Sequence, residues 1–247
     1  MTTNNETFDL YKFRAINKRL IESLVNRSLY FAKPSTLNDP FDCRIELKEA
    51  FEQAGSSATG DRKNFLLSFL AKPKFFENWR CTVDKLGVCA FSRENLHPLL
   101  WSHYADEHRG VCLKYQFRAA YFTTDEFHLT AAGKVEYLVE PLKEWLKSTP
   151  MDDLDKFVEG LLHKYLKTKS PAWKYEEEER IFRHKPGVFN FNHGEPFLNQ
   201  ICFGLRTPEP DIDLIVNLAQ TYTGCTRFSR MVPNKTEFGF KEEAMST

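Results

Sequence analysis

Hydrophobic and polar positions change period repeatedly along the chain, and each change marks an element. Phe8-Asp9-Leu10-Tyr11-Lys12-Phe13-Arg14 alternates, which predicts a first strand. Its phase puts Phe8, Leu10, Lys12 and Arg14 on one face and Asp9, Tyr11 and Phe13 on the other, so two cations share a face with two core-type residues. Asn17 is placed to cap a short helix whose Leu20, Ile21, Leu24 and Val25 make one apolar stripe. Leu29–Ala32 predicts a second strand, followed by a polar loop over residues 33–42. Residues 46–84 are loosely helical, broken at Ala54–Gly60, and read as an inserted helical cover.

Further on, Gly87–Ser92 and Gly110–Phe117 predict strands on either side of a short helix, Leu99–Asp106, opened by Asn95 or by His97-Pro98. Lys134–Val139 predicts another strand. A helix capped by Asp152 should run to Lys167 with Leu154, Phe157, Val158, Leu161 and Leu162 inward. Gln200–Leu205 predicts a strand, Pro210 and Asp211 open an amphipathic helix, and Arg227–Val232 closes the series. Strands interrupted by helices of irregular length predict an α+β fold with mixed or antiparallel sheets and inserted helices, not a regular parallel array. No Pro/Gly/Ser-rich linker divides residues 1–247, so a single domain is expected, with its helical insertion at about 46–84.

The densest pattern is Ser170–Phe182, where four consecutive glutamates sit between Trp173 and Tyr175 on one side and Ile181 and Phe182 on the other. Those apolar flanks seek burial, which separates the run from a solvated acidic tail. As a strand it would place Glu176, Glu178 and Arg180 on one face. As a helix it would pair Glu176 with Arg180 at i,i+4, a gain of about 0.3–0.5 kcal/mol. The pattern accommodates both.

Composition narrows the class. Apolar residues make up 42% of the chain and include 22 Phe, enough for a packed core. The formal net charge is zero, so electrostatic capture of nucleic acid is not indicated as the main binding mode. Cys43, Cys81, Cys89, Cys112, Cys202 and Cys225 form no CxxC pair, and His103 and His108 are five apart, so no metal is expected. No apolar run approaches the roughly 20 residues of a membrane helix. The polar start shows no secretion signal. A cytoplasmic protein with reduced thiols and no membrane partner is the expectation. The glycine patterns of Rossmann, P-loop and hydrolase-elbow sites are absent. Cys112 lies near two histidines, but it falls among apolar neighbours in a strand, where burial quiets a thiol. Trp101, His103 and Tyr104 could stack on a flat heteroaromatic ring or simply pack in the core. The short polar groups of the 33–42 loop, Ser35, Thr36, Asn38 and Asp39 among them, suit a ligand's approach or a plain turn.

The blocks LYKFR, YFAKPSTLNDPFD, CAFS, WSHYADEHRGVCLKY, VEYL and KSPAWKYEEEERIF, in that order from Leu10 to Phe182, resemble a prokaryotic family, the domain of unknown function 2971. A weaker resemblance is to ADP-ribosyltransferases of the Arg-Ser-Glu type: an Arg ending the first strand, a Ser/Thr element after the second, and E-x-E opening a later one. It implies a split-sheet fold with NAD as substrate. Arg14 would hold the pyrophosphate, and Ser35 and Thr36 would support the nicotinamide-ribose pocket. Glu178 would hold the ribose hydroxyl and Glu176 would orient or deprotonate the acceptor. Tyr11, Asn38, Asp39, Trp101, His103, Tyr104 and Arg180 would complete the cofactor-binding set. Ser35-Thr36 departs from the pattern by following Pro34 in a loop. The implied activity is ADP-ribosyl transfer to a nucleic acid or protein acceptor, or NAD glycohydrolysis. A toxin or phage-defence role with an antitoxin or operon partner would accompany it. The reading requires Arg14 and Glu178 to line one pocket sized for a dinucleotide. Two other classes compete: a metal-dependent nuclease or phosphoesterase using Asp39, Asp42, Glu176 and Glu178, and a non-catalytic module binding a nucleotide or a protein.

Overall fold

The computed structural model describes residues 7–118, 129–190 and 197–246. The alternating first segment forms β1 (Thr7–Arg14), and Asn17 Oδ1 accepts from the backbone N–H groups of Arg19 and Leu20 to cap α1 (Lys18–Val25). After β2 (Ser28–Phe31) and a 3₁₀ turn at Pro34–Thr36, the insertion forms three helices: α2 (Leu47–Ser57), α3 (Gly60–Leu70) and α4 (Pro73–Val83). Then come β3 (Gly87–Ser92), α5 (Pro98–Tyr104), β4 (Val111–Arg118), β5 (Leu129–Lys134) and β6 (Glu136–Tyr137). Next are α6 (Pro141–Ser148), α7 (Leu154–Leu166), β7 (Thr168–Lys169) and β8 (Glu178–Arg183). The chain closes with β9 (Gly187–Asn190), β10 (Phe197–Phe203), α8 (Glu209–Leu218), β11 (Phe228–Pro233) and β12 (Phe240–Ala244).

This is the expected α+β class. Eight strands make one sheet in the order β12-β11-β10-β4-β1-β3-β8-β5, antiparallel except for the β10–β11 pair. The sheet is unevenly joined. β1 pairs with β4 along its whole length and β3 with β8 over six residues, but β1 and β3 meet only at Tyr11 and Ser92. The wide space beside that single joint becomes the candidate site.

The period-two alternation of β1 is used on both faces. Leu10 joins Leu113, Ile201 and Phe203 beneath α1 and α8, while Phe13, Cys112 and Cys202 pack under α5 through Leu100 and Trp101. A separate apolar body forms where α2, α3, α4, α6 and α7 meet Val88 and Phe182. Its rings stack edge to face, as in Phe65–Phe157 at 4.9 Å. Each fully buried side chain of this kind contributes about 1.5–3 kcal/mol. Gly110 allows β4 to begin against the end of β1, since a Cβ there would lie 2.2 Å from the carbonyl oxygen of Arg14.

Several expectations need correction. Lys134–Val139 is not one strand: Lys134 ends β5 in the large sheet, and Glu136–Tyr137 pairs parallel with β7 in a separate two-stranded sheet. Leu154, expected inward, is 52% exposed because it opens α7 at the Asp153 cap, one turn short of the packed stripe. The cap is Asp153, not Asp152. The pattern reading also leaves α6, β9 and β12 unassigned; β9 and β12 are short strands, whereas α6 is as long as α1 and buries Leu142 and Leu146 one turn apart.

Candidate functional site

The strand reading of the glutamate run holds from Glu178 onward, and the i,i+4 helix reading does not. Pro171–Glu176 is a 3₁₀ turn, Glu177 adopts the left-handed conformation (φ 42°), and the strand starts at Glu178. A left-handed glutamate is strained. Glu176 and Glu178 nonetheless reach the same cavity, as positions i and i+2 of a strand would, while Glu177 faces solvent. Glu179 turns to the opposite face and pairs with Arg93. The four charges are thus distributed to three surroundings.

Glu176 and Glu178 share one ammonium, that of Lys169 at the end of β7: Nζ donates to Glu176 Oε2 at 2.5 Å and to Glu178 Oε2 at 2.9 Å. Lys169 also lies 5.0 Å over the Trp173 ring and 3.9 Å from Asp42 Oδ2. Arg180 donates Nε–H to Glu178 Oε1 at 2.6 Å, Nη1–H to the Leu166 carbonyl at 2.7 Å, and Nη2–H to Asp42. Tyr104 on α5 donates its hydroxyl to Glu176 Oε1 and accepts from Asn38 Nδ2 at 3.3 Å. Tyr137 Oη accepts the Glu178 backbone N–H at 2.8 Å.

These contacts drive the two carboxylates apart. Burial pushes the Glu176 carboxyl above its ordinary range, an effect that Lys169 offsets only in part. Burial also opposes the charge on Glu178, but the cations of Arg180 and Lys169 outweigh it and hold Glu178 down at about 2. Counting Asp42, Glu176 and Glu178 against Lys169 and Arg180 leaves one negative charge in excess when all are ionised. Glu176 is the member that accommodates a proton. Burial and the bond to Glu176 raise the Tyr104 hydroxyl, keeping it neutral as a donor.

The cavity beside the β1–β3 joint measures about 220 Å³, and Arg14, Glu176 and Glu178 all line it. So do Tyr11, Asn38 and Tyr104. Lys12 lines it too, bonding the Ala90 carbonyl at 2.6 Å; burial and the neighbouring Arg14 lower its pKa. Among the described residues, no hydrogen bond or ion pair reaches the half-buried guanidinium of Arg14. The cavity therefore has an unengaged cation at one side and a carboxylate pair of unequal proton affinity at another. Its volume falls below the roughly 300–1,000 Å³ of drug-sized sites. Arg14 and Glu178 thus line one pocket, but its volume is smaller than the dinucleotide-sized pocket expected.

Other expected members lie elsewhere. Trp101 is completely buried, packs edge-on against Phe13 at 5.2 Å and donates its indole N–H to the Asn95 carbonyl, so it is core and not a stacking platform. Arg180 is also fully buried, behind Glu178, and holds that carboxylate rather than a ligand. His103 is exposed, with Nδ1 3.1 Å from the Tyr175 hydroxyl. Ser35 lines a different cavity with Arg44 and Asp84, and Thr36 Oγ1 is bonded to the Lys33 carbonyl. Asp39 faces yet another cavity. No group of three or more His, Cys, Asp or Glu side chains among the described residues is arranged to hold a metal ion. Of the four carboxylates assigned that task, Asp42, Glu176 and Glu178 are instead bound by Lys169 or Arg180, and Asp39 faces a different cavity. Cys112 is buried and its thiol pushed well up by desolvation, as expected for an inert cysteine.

Lys169 was the principal omission. Its signal was indirect: four adjacent acids between apolar flanks require a buried cation nearby, and Lys169 precedes Glu176 by only seven residues.

Residues 100–181 match the model of a family described as Protein of unknown function (DUF2971). That segment runs from α5 into β8, and so carries Tyr104, Lys169, Glu176 and Glu178; Arg14 and Asn38 lie outside it. The resemblance to DUF2971 read from the sequence blocks thus holds for the part of the chain that supplies the carboxylate half of the cavity. No curated protein and no solved structure matches the chain. No helix among the described residues is long and apolar enough to cross a membrane.

Proposed function

We propose that the cavity at the β1–β3 joint binds a nucleotide and cleaves its N-glycosidic bond, with NAD as substrate and ADP-ribose passing to water or to a macromolecular acceptor. The observation that carries this reading is the shared cavity of an unengaged guanidinium, Arg14, and a carboxylate pair of which one is held ionised and the other accommodates a proton. Arg14 suits phosphate oxygens through its planar fork of donors. The nicotinamide-ribose end would occupy the enclosed volume, with the adenosine end extending outward.

In this scheme the C–N bond to nicotinamide breaks and the ring leaves with the bonding electrons. The positive charge left on the ribose is stabilised by Glu178, which Arg180 and Lys169 keep fixed and ionised. The incoming hydroxyl adds to the same carbon and its proton passes to Glu176, whose raised pKa suits a general base. The metal-dependent alternative loses three of its four ligands, Asp42, Glu176 and Glu178, to Lys169 and Arg180. An effector role in bacterial or phage conflict accords with this chemistry and would show as arrested growth on expression.

The experiment incubates purified protein with labelled NAD and cell lysate, with and without a chelator, beside Glu178→Gln. Nicotinamide release that survives chelation and disappears in Glu178→Gln is expected, with NAD raising the melting temperature. No release, no labelled product and an unchanged melting temperature would overturn the proposal. Nucleotide binding without release in the native protein would point to a binding module.

A further inference from the structure

Behind the carboxylate cluster lies a second cavity, of about 230 Å³, whose wall shares Asp42 and Lys169 with the first. Beside these two ions the wall holds Asp39, only 3% exposed. One of its oxygens, Oδ1, accepts the Phe41 backbone N–H at 2.9 Å; no cation among the described residues comes within ion-pair distance of the carboxylate. Asp42 and Lys169, by contrast, are fully engaged, with Arg180 and with Glu176 and Glu178. A carboxylate this buried normally has a cationic partner, because desolvation otherwise penalises its charge. Around it stand large apolar side chains that the fold leaves in water: Phe41 at 76% exposed, Val139 at 85% and Leu138 at 40%.

We infer that this second cavity binds an organic cation, an aliphatic guanidinium or ammonium whose charged end meets Asp39 and whose methylenes lie against Phe41, Leu138 and Val139. The charge complementarity is specific: one uncompensated carboxylate inside, an apolar rim outside, and the cavity's other ions already paired. Phe41 is among the residues lining the cavity and is largely exposed. An anion would meet Asp39 unscreened, and a neutral apolar ligand would leave that carboxylate as it is. The inference is independent of the glycosidic chemistry, since it concerns other residues and its test reads binding alone.

The test titrates the full-length protein with butylguanidinium chloride and with N-acetyl-argininamide, against the uncharged isostere N-acetyl-citrullinamide, by calorimetry at neutral pH. Binding of the cations, with the uncharged isostere at least about tenfold weaker, is expected. Asp39→Asn should lower cation affinity by a similar factor while retaining the acceptor for the Phe41 N–H. Should Asp39→Asn fold poorly, Val139→Lys serves instead: it changes a side chain that is almost wholly in water and sets a competing charge at the mouth. Arg14→Gln should leave the affinity unchanged. Binding of N-acetyl-argininamide but not of butylguanidinium assigns the site to a side chain on a polypeptide; binding of both assigns it to alkyl cations generally. If neither cation binds, or the uncharged isostere binds as tightly, the inference is overturned.

Discussion

Replacing Lys169 with methionine removes one positive charge from the centre of the molecule while keeping most of the side chain's apolar volume. The lysine is buried, and its ammonium is shared by Glu176 and Glu178, themselves 5% and 4% exposed. The size of the effect can be approached in two ways. Removing one partner from a buried ion pair costs about 3–5 kcal/mol, since the other charge is left without compensation. Separately, lowering Glu178 from its ordinary 4.5 to about 2 corresponds to roughly 3 kcal/mol of preference for the charged form, supplied by Arg180 and Lys169 together. Arg180 would retain part of that hold, but Glu176 would lose its only cation among the described residues. A loss of about 3–5 kcal/mol at pH 7 is therefore expected, a fall in melting temperature of roughly 6–20 °C for a chain of this size.

The pH dependence identifies the cause. Glu178 is depressed in the folded state, so its contribution is present above the unfolded value near 4.5 and is lost as pH falls toward 2. Glu176 is raised, so its protonated form is favoured by folding, and that advantage declines as pH rises through the folded value. Without Lys169, the folded protein would take up protons at Glu176 sooner. The deficit of Lys169→Met should then shrink as pH falls from 7 toward 4.5, and Lys169→Met/Glu176→Gln should recover part of it at pH 7. Chemical denaturation of the three proteins at pH 7 and pH 5 measures both. A deficit below about 1 kcal/mol at pH 7, or one that grows on acidification, refutes the argument.

Other consequences are direct. Arg14→Gln should reduce nucleotide affinity by at least about tenfold but shift stability by less than about 0.5 kcal/mol, because its guanidinium holds nothing among the described residues; titration and melting curves separate the two. Trp101→Ala should cost about 3–5 kcal/mol of stability, whereas Trp101→Phe should keep nucleotide binding intact, as expected of a core residue. A thiol reagent should label Cys81 rapidly in the native protein and the five buried cysteines only on unfolding, which mass spectrometry of the labelled chain reports. Gly110→Ala should destabilise strongly, since the new methyl would collide with the carbonyl of Arg14 rather than with a movable side chain.

Local pattern was enough to recover much of this architecture. Alternation in β1, the Asn17 cap of α1 and the boundaries of β3 are properties of a few neighbouring residues, governed by backbone period and hydrogen-bond completion. Tyr11, Arg14, Asn38, Tyr104, Glu176 and Glu178, which the resemblance to ADP-ribosyltransferases placed in one set, line a single cavity. Three-dimensional packing settled the rest. Trp101 and Tyr104 are three residues apart on one helix, and only the position of α5 against Phe13 sends the indole into the core and the phenol to Glu176. Lys169 and Arg180 look like ordinary surface cations in the chain; burial beside three carboxylates makes one a bridge and the other a clamp. Period and capping are short-range and can be read residue by residue. Desolvation and charge pairing depend on what distant segments bring together, and no single stretch of the chain records them.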